Sequence, residues 1–393
     1  MTFKRRSAKC ADVESLLVDW VSTDVHTSPS SILREVVKNA HDSYFAIDPK
    51  QIEEEKLDRA IVISRERHAN GAGRLSIEDN GIGQSFKSLQ RATYVGNSRK
   101  PHVLKDDACF RSLLSWALRA GSKIVIESTT KGIAGRSRLQ MNVRRICEKL
   151  HVGTTLTDLL NDPCCISFST CISFSTEDWA KNDHGTIVEI ECDGKTEVVN
   201  GHTLNRVYDL TDPDDETLEQ ILVEGCPIPY AREGGVCKKV HAVYDRIRYL
   251  PTTIYVDGKR LERRLSNRLT AFHTQDIKLG GRVAAIAWYA EDPNRTGAVH
   301  VEAAKHFIDG PGIQLVRCNV PIGPKNIFSD AVTQKLLQCF VGEVHIVSDD
   351  LQPDACGRDL LVAPARDVFI QELLKFYNSL RERTHLNSQR LKR

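Results

Sequence analysis

The sequence predicts an α+β protein built as two successive α/β domains, and three observations carry that prediction. Residues 31–42 place Leu33, Val36, Val37 and Ala40, followed by Tyr44, at the i, i+3, i+4, i+7 spacing of a core-facing helix. Residues 61–64 and 75–78 read as strands joined across the Asn70-Gly71-Ala72-Gly73 turn. Beyond a polar, turn-rich stretch at 201–235, a second set of strand-like runs begins. Helices alternating with strands, several paired as hairpins, fit a sandwich with helices on one face of a mixed sheet.

Taken in order, residues 11–21 carry Val13, Leu16, Leu17, Trp20 and Val21 at helical spacing, a first amphipathic helix. Ser28 is placed to cap the next helix, and Pro29 suits its first position. On that helix's polar side, Glu35, Asn39 and Asp42 fall within about 60° of one another at roughly 100° per residue. Such a face is either solvated surface or a carboxylate, an amide and a second carboxylate aligned for chemistry. Residues 75–83 then form a strand running into Asp79-Asn80-Gly81-Ile82-Gly83. Asp79 can accept a hydrogen bond at the strand's end, and Gly81 and Gly83 allow positive φ and close approach to a ligand. Asp-Asn-Gly by itself is also an ordinary turn. Residues 123–127 and 185–192 read as further strands. The hexapeptide Cys-Ile-Ser-Phe-Ser-Thr occurs twice in tandem, at 165–170 and 171–176. Its even period puts Ile166, Phe168, Ile172 and Phe174 on one face of a lengthened strand, with an aggregation hazard attached.

The 393 residues suit two or three domains. A 41% hydrophobic and 27% charged composition describes a globular chain able to bury a core. The net charge of +2 gives no general attraction to nucleic acid or to membranes. No apolar run approaches the ~18 residues of a membrane span, and no apolar signal core follows the basic Met1-Thr2-Phe3-Lys4-Arg5-Arg6 start. The 12 cysteines include no Cys-x-x-Cys pair, and Cys164, Cys165 and Cys171 match no metal-ligand spacing. Reduced thiols in a cytoplasmic protein are expected.

In the second domain, strand-like runs at 252–257, 283–289 and 342–347 are expected, with Asp257-Gly258 as a hairpin turn between Ile254-Tyr255-Val256 and Lys259-Arg260-Leu261. Phe369, Leu373, Leu374, Tyr377 and Leu380 predict a C-terminal amphipathic helix ending in Arg381, Arg383, Arg390, Lys392 and Arg393. That basic end is either a frayed helix terminus or a phosphate-contacting tail. The expected division is 1–200, a boundary segment at 201–235, a domain at 236–368 and the helix at 369–393.

A helix with Glu35-x-x-x-Asn39-x-x-Asp42, followed by a strand ending in Asp79-x-Gly81-x-Gly83, resembles the ATP-binding domain shared by gyrase, the heat shock protein 90 chaperones, histidine kinases and MutL, the GHKL superfamily. The segments Tyr94-Val95-Gly96-Asn97-Ser98-Arg99-Lys100 and Gly185-Thr186-Ile187-Val188-Glu189-Ile190 fit the same pattern in order. The resemblance covers roughly residues 11–195 and implies a Bergerat-type α/β sandwich binding ATP with Mg²⁺. It implies Glu35 as the residue that orients or deprotonates the attacking water, Asn39 as the magnesium ligand, and Asp42 on the nucleoside side. Asp79 would accept from the adenine amino group with a water held by Thr186. Gly81 and Gly83 would lie against base and ribose, and Asn97, Ser98 and Lys100 would contact ribose and phosphate. The family's second glycine turn is missing: its place reads Asp106-Asp107-Ala108-Cys109-Phe110-Arg111-Ser112-Leu113.

Gly312-Ile313-Gln314-Leu315-Val316-Arg317, Phe340-Val341-Gly342-Glu343-Val344, Asp350-Leu351-Gln352-Pro353 and Arg358-Asp359 resemble, in order, the middle domain of heat shock protein 90. Arg358 then matches the arginine that reaches a γ-phosphate; the other reading is a surface arginine paired with Asp359 or Asp354. The chaperone's C-terminal dimerisation domain is not expected, as the chain stops about where the middle segment would. The resemblance implies an ATPase with nucleotide-dependent domain motion, chaperone-like, with protein clients or partners and a nucleotide-dependent dimer left open. The alternative is a nucleotide-binding scaffold or sensor that does not hydrolyse.

Overall fold

A computed structural model of the chain describes residues 28–47, 58–92, 113–130, 135–171, 184–199, 202–215, 217–233, 235–266, 268–292, 299–301, 308–354 and 357–390. The helix expected at 11–21 and, after Cys171, the second copy of the tandem hexapeptide lie outside the described residues. The fold is α+β, in two compact units: 1–215 with Tyr255–Gly258, and 216–254 with 259–393. Among the described residues no helix is long and apolar enough to cross a membrane.

In the first unit, helix α1 (Pro29–Asp42) starts as its sequence dictates, with Pro29 in the first turn and Ser28 Oγ accepting from the Ser31 amide at 3.2 Å. Its apolar stripe of Leu33, Val36, Val37 and Ala40, joined by Ile32, is buried, and so is Tyr44 in the 3₁₀ turn that follows. Each fully buried aliphatic side chain of this kind contributes about 1.5–3 kcal/mol. The stripe packs on the strand Gly73–Asp79 and on helix α3 (Leu113–Ala120).

Six strands of this unit, β1 (Ala60–Arg67), β2 (Gly73–Asp79), β3 (Lys123–Thr129), β4 (Arg136–Asn142), β5 (Ile166–Cys171) and β6 (Gly185–Cys192), are hydrogen-bonded in the order β1-β2-β6-β3-β4-β5. Every adjacent pair among them is antiparallel. The expected β1–β2 hairpin forms, with Ile63 opposite Ile77. Strand β5 takes the first copy of the tandem hexapeptide from Ile166, which is buried, as is Cys165 just before the strand.

The segment 201–235, expected as a boundary, is largely ordered. Asp212 pairs with Arg67 at 2.7 Å, and Arg65 donates to the Asp212 and Asp215 carbonyls. Arg65 also pairs with Asp257 at 2.7 Å. The stretch is linker-like in composition and the units divide at its end, after Asp215, while Arg67 at the basic end of β1 pairs with its Asp212 carboxylate. The helix Thr217–Gly225, in the second unit, then buries Leu218, Leu222 and Val223.

The second unit centres on a five-stranded sheet in the order 270–279, 282–291, 340–346, 312–317, 320–322, with one parallel pair between 312–317 and 340–346. The strands expected near 283–289 and 342–347 are both present. The C-terminal helix runs Pro364–Arg390, starting before the expected 369. It is part of the core: Phe369, Leu373, Phe376, Tyr377 and Leu380 pack in one cluster with Tyr289, Phe340 and Val344. At the sheet's centre, buried Glu343 accepts from Arg263 Nη1 (3.0 Å), Tyr230 Oη (3.1 Å), Trp288 Nε1 (3.1 Å) and His345 Nε2 (3.0 Å). Burial alone would raise its pKa, but these donors, led by His345, hold the carboxyl below its usual range.

Candidate functional site

Strand alternation creates the site. In β2 the buried row is Gly73, Leu75, Ile77 and Asp79, so the period of two carries a carboxylate onto the core face behind two aliphatic side chains. In β6 the buried row is Thr186, Val188, Ile190 and Cys192, and the register sets Thr186 opposite Asp79 and Ser128 of β3 opposite Thr186. Helix α1 covers this row with Val36, Asn39 and Ala40, and Ser43 follows one turn after Asn39. The result is a cleft of about 270 Å³, mouth included, lined by these residues with Ile77, Asp79, Gln84, Thr186 and Val188. The cleft as a whole has room for about one water.

Asp79 is the cleft's charged group. The Gly81 amide donates to its Oδ1 at 2.8 Å, and the Ser43 hydroxyl lies 3.1 Å from the same oxygen. Ser43 also sits 2.7 Å from the Ala40 carbonyl; its single proton serves one of the two. Burial is the dominant influence and pushes the Asp79 carboxyl up to about 7, against the pull of Gly81 and Ser43, while nearby Glu78 adds repulsion. Tyr44 responds in kind, its hydroxyl pKa raised by burial and by Asp79. Thr186 Oγ1 is 2.8 Å from Ser128 Oγ, which in turn accepts from the Gln84 amide at 2.7 Å.

Glu35 and Asn39 stand one turn apart on α1, and Asn39 Nδ2 donates to Glu35 Oε1 at 3.4 Å. With its nitrogen committed, Asn39 has its carbonyl oxygen to offer a cation. Asn39 is buried and lines the cleft, whereas Glu35 is half-buried. Asp42 is not among the cleft residues: it pairs with Lys38 one turn back on the same helix.

The two glycines answer first to protein atoms. A Cβ on Gly81 would stand 1.7 Å from Ser43 Oγ. Gly83 has φ +71°, and its Cβ would stand 1.8 Å from the Thr129 carbonyl oxygen. Both therefore let the loop after β2 fold tightly over the cleft floor. Asn80 locks that loop from outside, accepting from the Ala60 amide at 3.1 Å and donating to the Asp58 carbonyl at 2.7 Å. Asn97, Ser98 and Lys100 lie outside the described residues, as does the stretch 106–112. Arg358 belongs to the second unit and is exposed. Asp359 pairs instead with Arg366 at 2.8 Å, and Asp354 accepts the Arg358 backbone amide at 2.9 Å. Among the described residues no carboxylate therefore holds the Arg358 guanidinium.

Sequence reasoning brought Asn39, Asp79 and Thr186 together and missed Ser43, Gln84 and Ser128. Ser43 follows Asn39 at i+4, a helical neighbour readable from spacing alone. Ser128 needs the β6–β3 pairing, which no local signal supplies.

The raised Asp79 pKa has a measurable consequence. Its folded value, about 7, lies above its unfolded value, so the folded state holds the proton more tightly. Stability from this group is present below the unfolded pKa and is lost as pH rises through about 7. Wild type minus Asp79→Asn, followed by thermal unfolding, should thus fall between pH 4 and pH 8. A ligand that donates an N–H to the ionised carboxylate reverses the trend: its affinity should rise about tenfold from pH 6 to pH 8, with no such rise in Asp79→Asn.

No family model matches this chain, and no curated protein matches it.

Proposed function

We propose that the first unit binds an adenine nucleotide in the cleft between α1 and the sheet and hydrolyses it, in the manner of the GHKL ATPases. The observation that carries this reading is the convergence of Asn39, Asp79 and Thr186, from three separate elements, on one cleft in which the buried Asp79 is the only ionisable lining group among the described residues. A buried carboxylate in a slot lined by Val36, Ala40, Ile77 and Val188 as well as by neutral polar side chains is suited to accept from a base amino group. The cleft's room for about one water, with Thr186 in its lining, is compatible with such a bridging water.

At the phosphate end, Glu35 would take the proton of the attacking water. Asn39 suits a magnesium ion that arrives with the nucleotide, because magnesium favours few protein oxygens alongside phosphates and waters. Bound there, the ion would neutralise phosphate charge. Arg358, exposed and unclaimed by a carboxylate among the described residues, is suited to meet a γ-phosphate and so make turnover depend on domain motion. A chaperone-like role with protein clients, carried out in the cytoplasm, follows from the same resemblance.

One observation favours the second reading, a nucleotide-binding scaffold. Where the resemblance expects a glycine turn around the phosphates, the sequence has Asp106 and Asp107, which repel a triphosphate. Steady-state phosphate release with and without magnesium separates the two. Magnesium-dependent release supports hydrolysis; nucleotide binding with no release above background leaves the scaffold.

A further inference from the structure

Gln84 lines the cleft beside Asp79, Asn39 and Thr186, and nothing above gives its side chain a task. It is 6% exposed. Its backbone is fixed, with the amide on Ser128 Oγ at 2.7 Å. The next residue, Ser85, accepts from the Ser88 amide at 3.2 Å to open helix α2 (Phe86–Ala92). The side chain is another matter: neither Nε2 nor Oε1 has a hydrogen-bond partner among the described residues. Burying an amide with both ends unpaired is costly, and such groups are rare enough in folded proteins that each calls for a cause. A methionine would fill the same volume without that cost.

We infer that Gln84 reads the base of a bound purine together with Asp79, and that it opens the cleft to guanine as well as adenine. The inference rests on the nucleotide reading given above. A carboxylate only accepts hydrogen bonds. Adenine presents an amino donor next to the N1 acceptor, and guanine presents N1–H and amino donors next to the O6 acceptor. Asp79 alone can take the adenine amino group or the guanine N–H pair, but it offers nothing to N1 or O6. The Gln84 Nε2 supplies that donor in either case, and Oε1 can take a leftover N–H. Rotating the terminal amide exchanges donor and acceptor, so one side chain suits both bases. With an apolar residue at 84, guanine O6 would be buried unpaired, and sites discriminate strongly on that ground.

The test is calorimetric titration of the intact chain with ADP and with GDP at pH 8, for wild type and Gln84→Met, alongside thermal unfolding of both proteins without ligand. Wild type should bind the two nucleotides within about tenfold of each other. The variant should lose about tenfold or more toward GDP and less toward ADP. Free of ligand, its Tm should hold or rise by about 2–4 °C, because an unpaired amide has gone. A wild type that rejects GDP by more than about tenfold, or a variant whose GDP affinity falls no more than its ADP affinity, overturns the inference. A drop in the free variant's Tm also overturns it, since Gln84 would then be a structural residue. A wild type that binds neither nucleotide defeats the nucleotide reading itself, and this inference with it.

Discussion

Asp79→Asn should cost at least about 100-fold in adenine-nucleotide affinity at pH 8. The substitution keeps shape and volume, and an asparagine Oδ1 can still accept from the Gly81 amide as Asp79 does now at 2.8 Å. What disappears is the second, anionic acceptor, replaced by an NH₂ facing the base's own N–H. Hydrogen bonds to charged groups contribute about 1.5–3 kcal/mol, and leaving two donors face to face adds to the loss. At 1.4 kcal/mol per tenfold, that is two orders of magnitude or more. The ligand-free variant should meanwhile be at least as stable as wild type at pH 8, because the buried charge has been removed. Calorimetry that finds equal ADP affinity in the two proteins would show that the base does not sit on Asp79.

Glu35→Gln should cut magnesium-dependent phosphate release by about 10²–10⁴-fold while leaving ADP affinity within a few-fold, because a positioned general base contributes about that much to rate and little to binding. Glutamine is the informative choice. Its Oε1 can still accept from Asn39 Nδ2, now 3.4 Å from Glu35 Oε1, so Asn39 keeps its orientation and only the basic oxygen is lost. Glu35→Ala should give the same turnover loss with a somewhat weaker magnesium dependence, since Asn39 then loses its partner. Equal turnover in wild type and both variants, above background, would assign water activation to another residue.

The helix at the centre of the site could be read from residues alone. Ser28-Pro29 marks its start, and Leu33, Val36, Val37 and Ala40 mark its buried stripe. Asp79 could be read almost as far, because Leu75 and Ile77 fix which face of β2 is buried and Asp79 continues that row. The rest depended on pairings distant in sequence. Ser128 reaches Thr186 only because β3 lies beside β6, with no hairpin to announce it. The acidic run does end where the two units divide, after Asp215, but its partners are not legible locally, because Arg65 and Arg67, which engage its Asp212, stand about 145 residues earlier. Gly81 and Gly83 were recognised as special, but for a ligand; their nearest demands come from Ser43 and the Thr129 carbonyl. Gln84 carries no sequence signal beyond its place after Gly83. That its buried side-chain amide has no hydrogen-bond partner among the described residues is visible only in the folded chain.

Backbone hydrogen exchange of the intact chain, with and without saturating ADP and magnesium, addresses the central claim most directly because it locates the bound nucleotide. The expected result is slowed exchange in three separate segments, 36–44, 79–88 and 184–190, each of which contributes lining residues to the cleft between α1 and the sheet. Binding that slows exchange elsewhere and leaves these three segments unchanged would contradict the account, as would the absence of any change at saturating nucleotide.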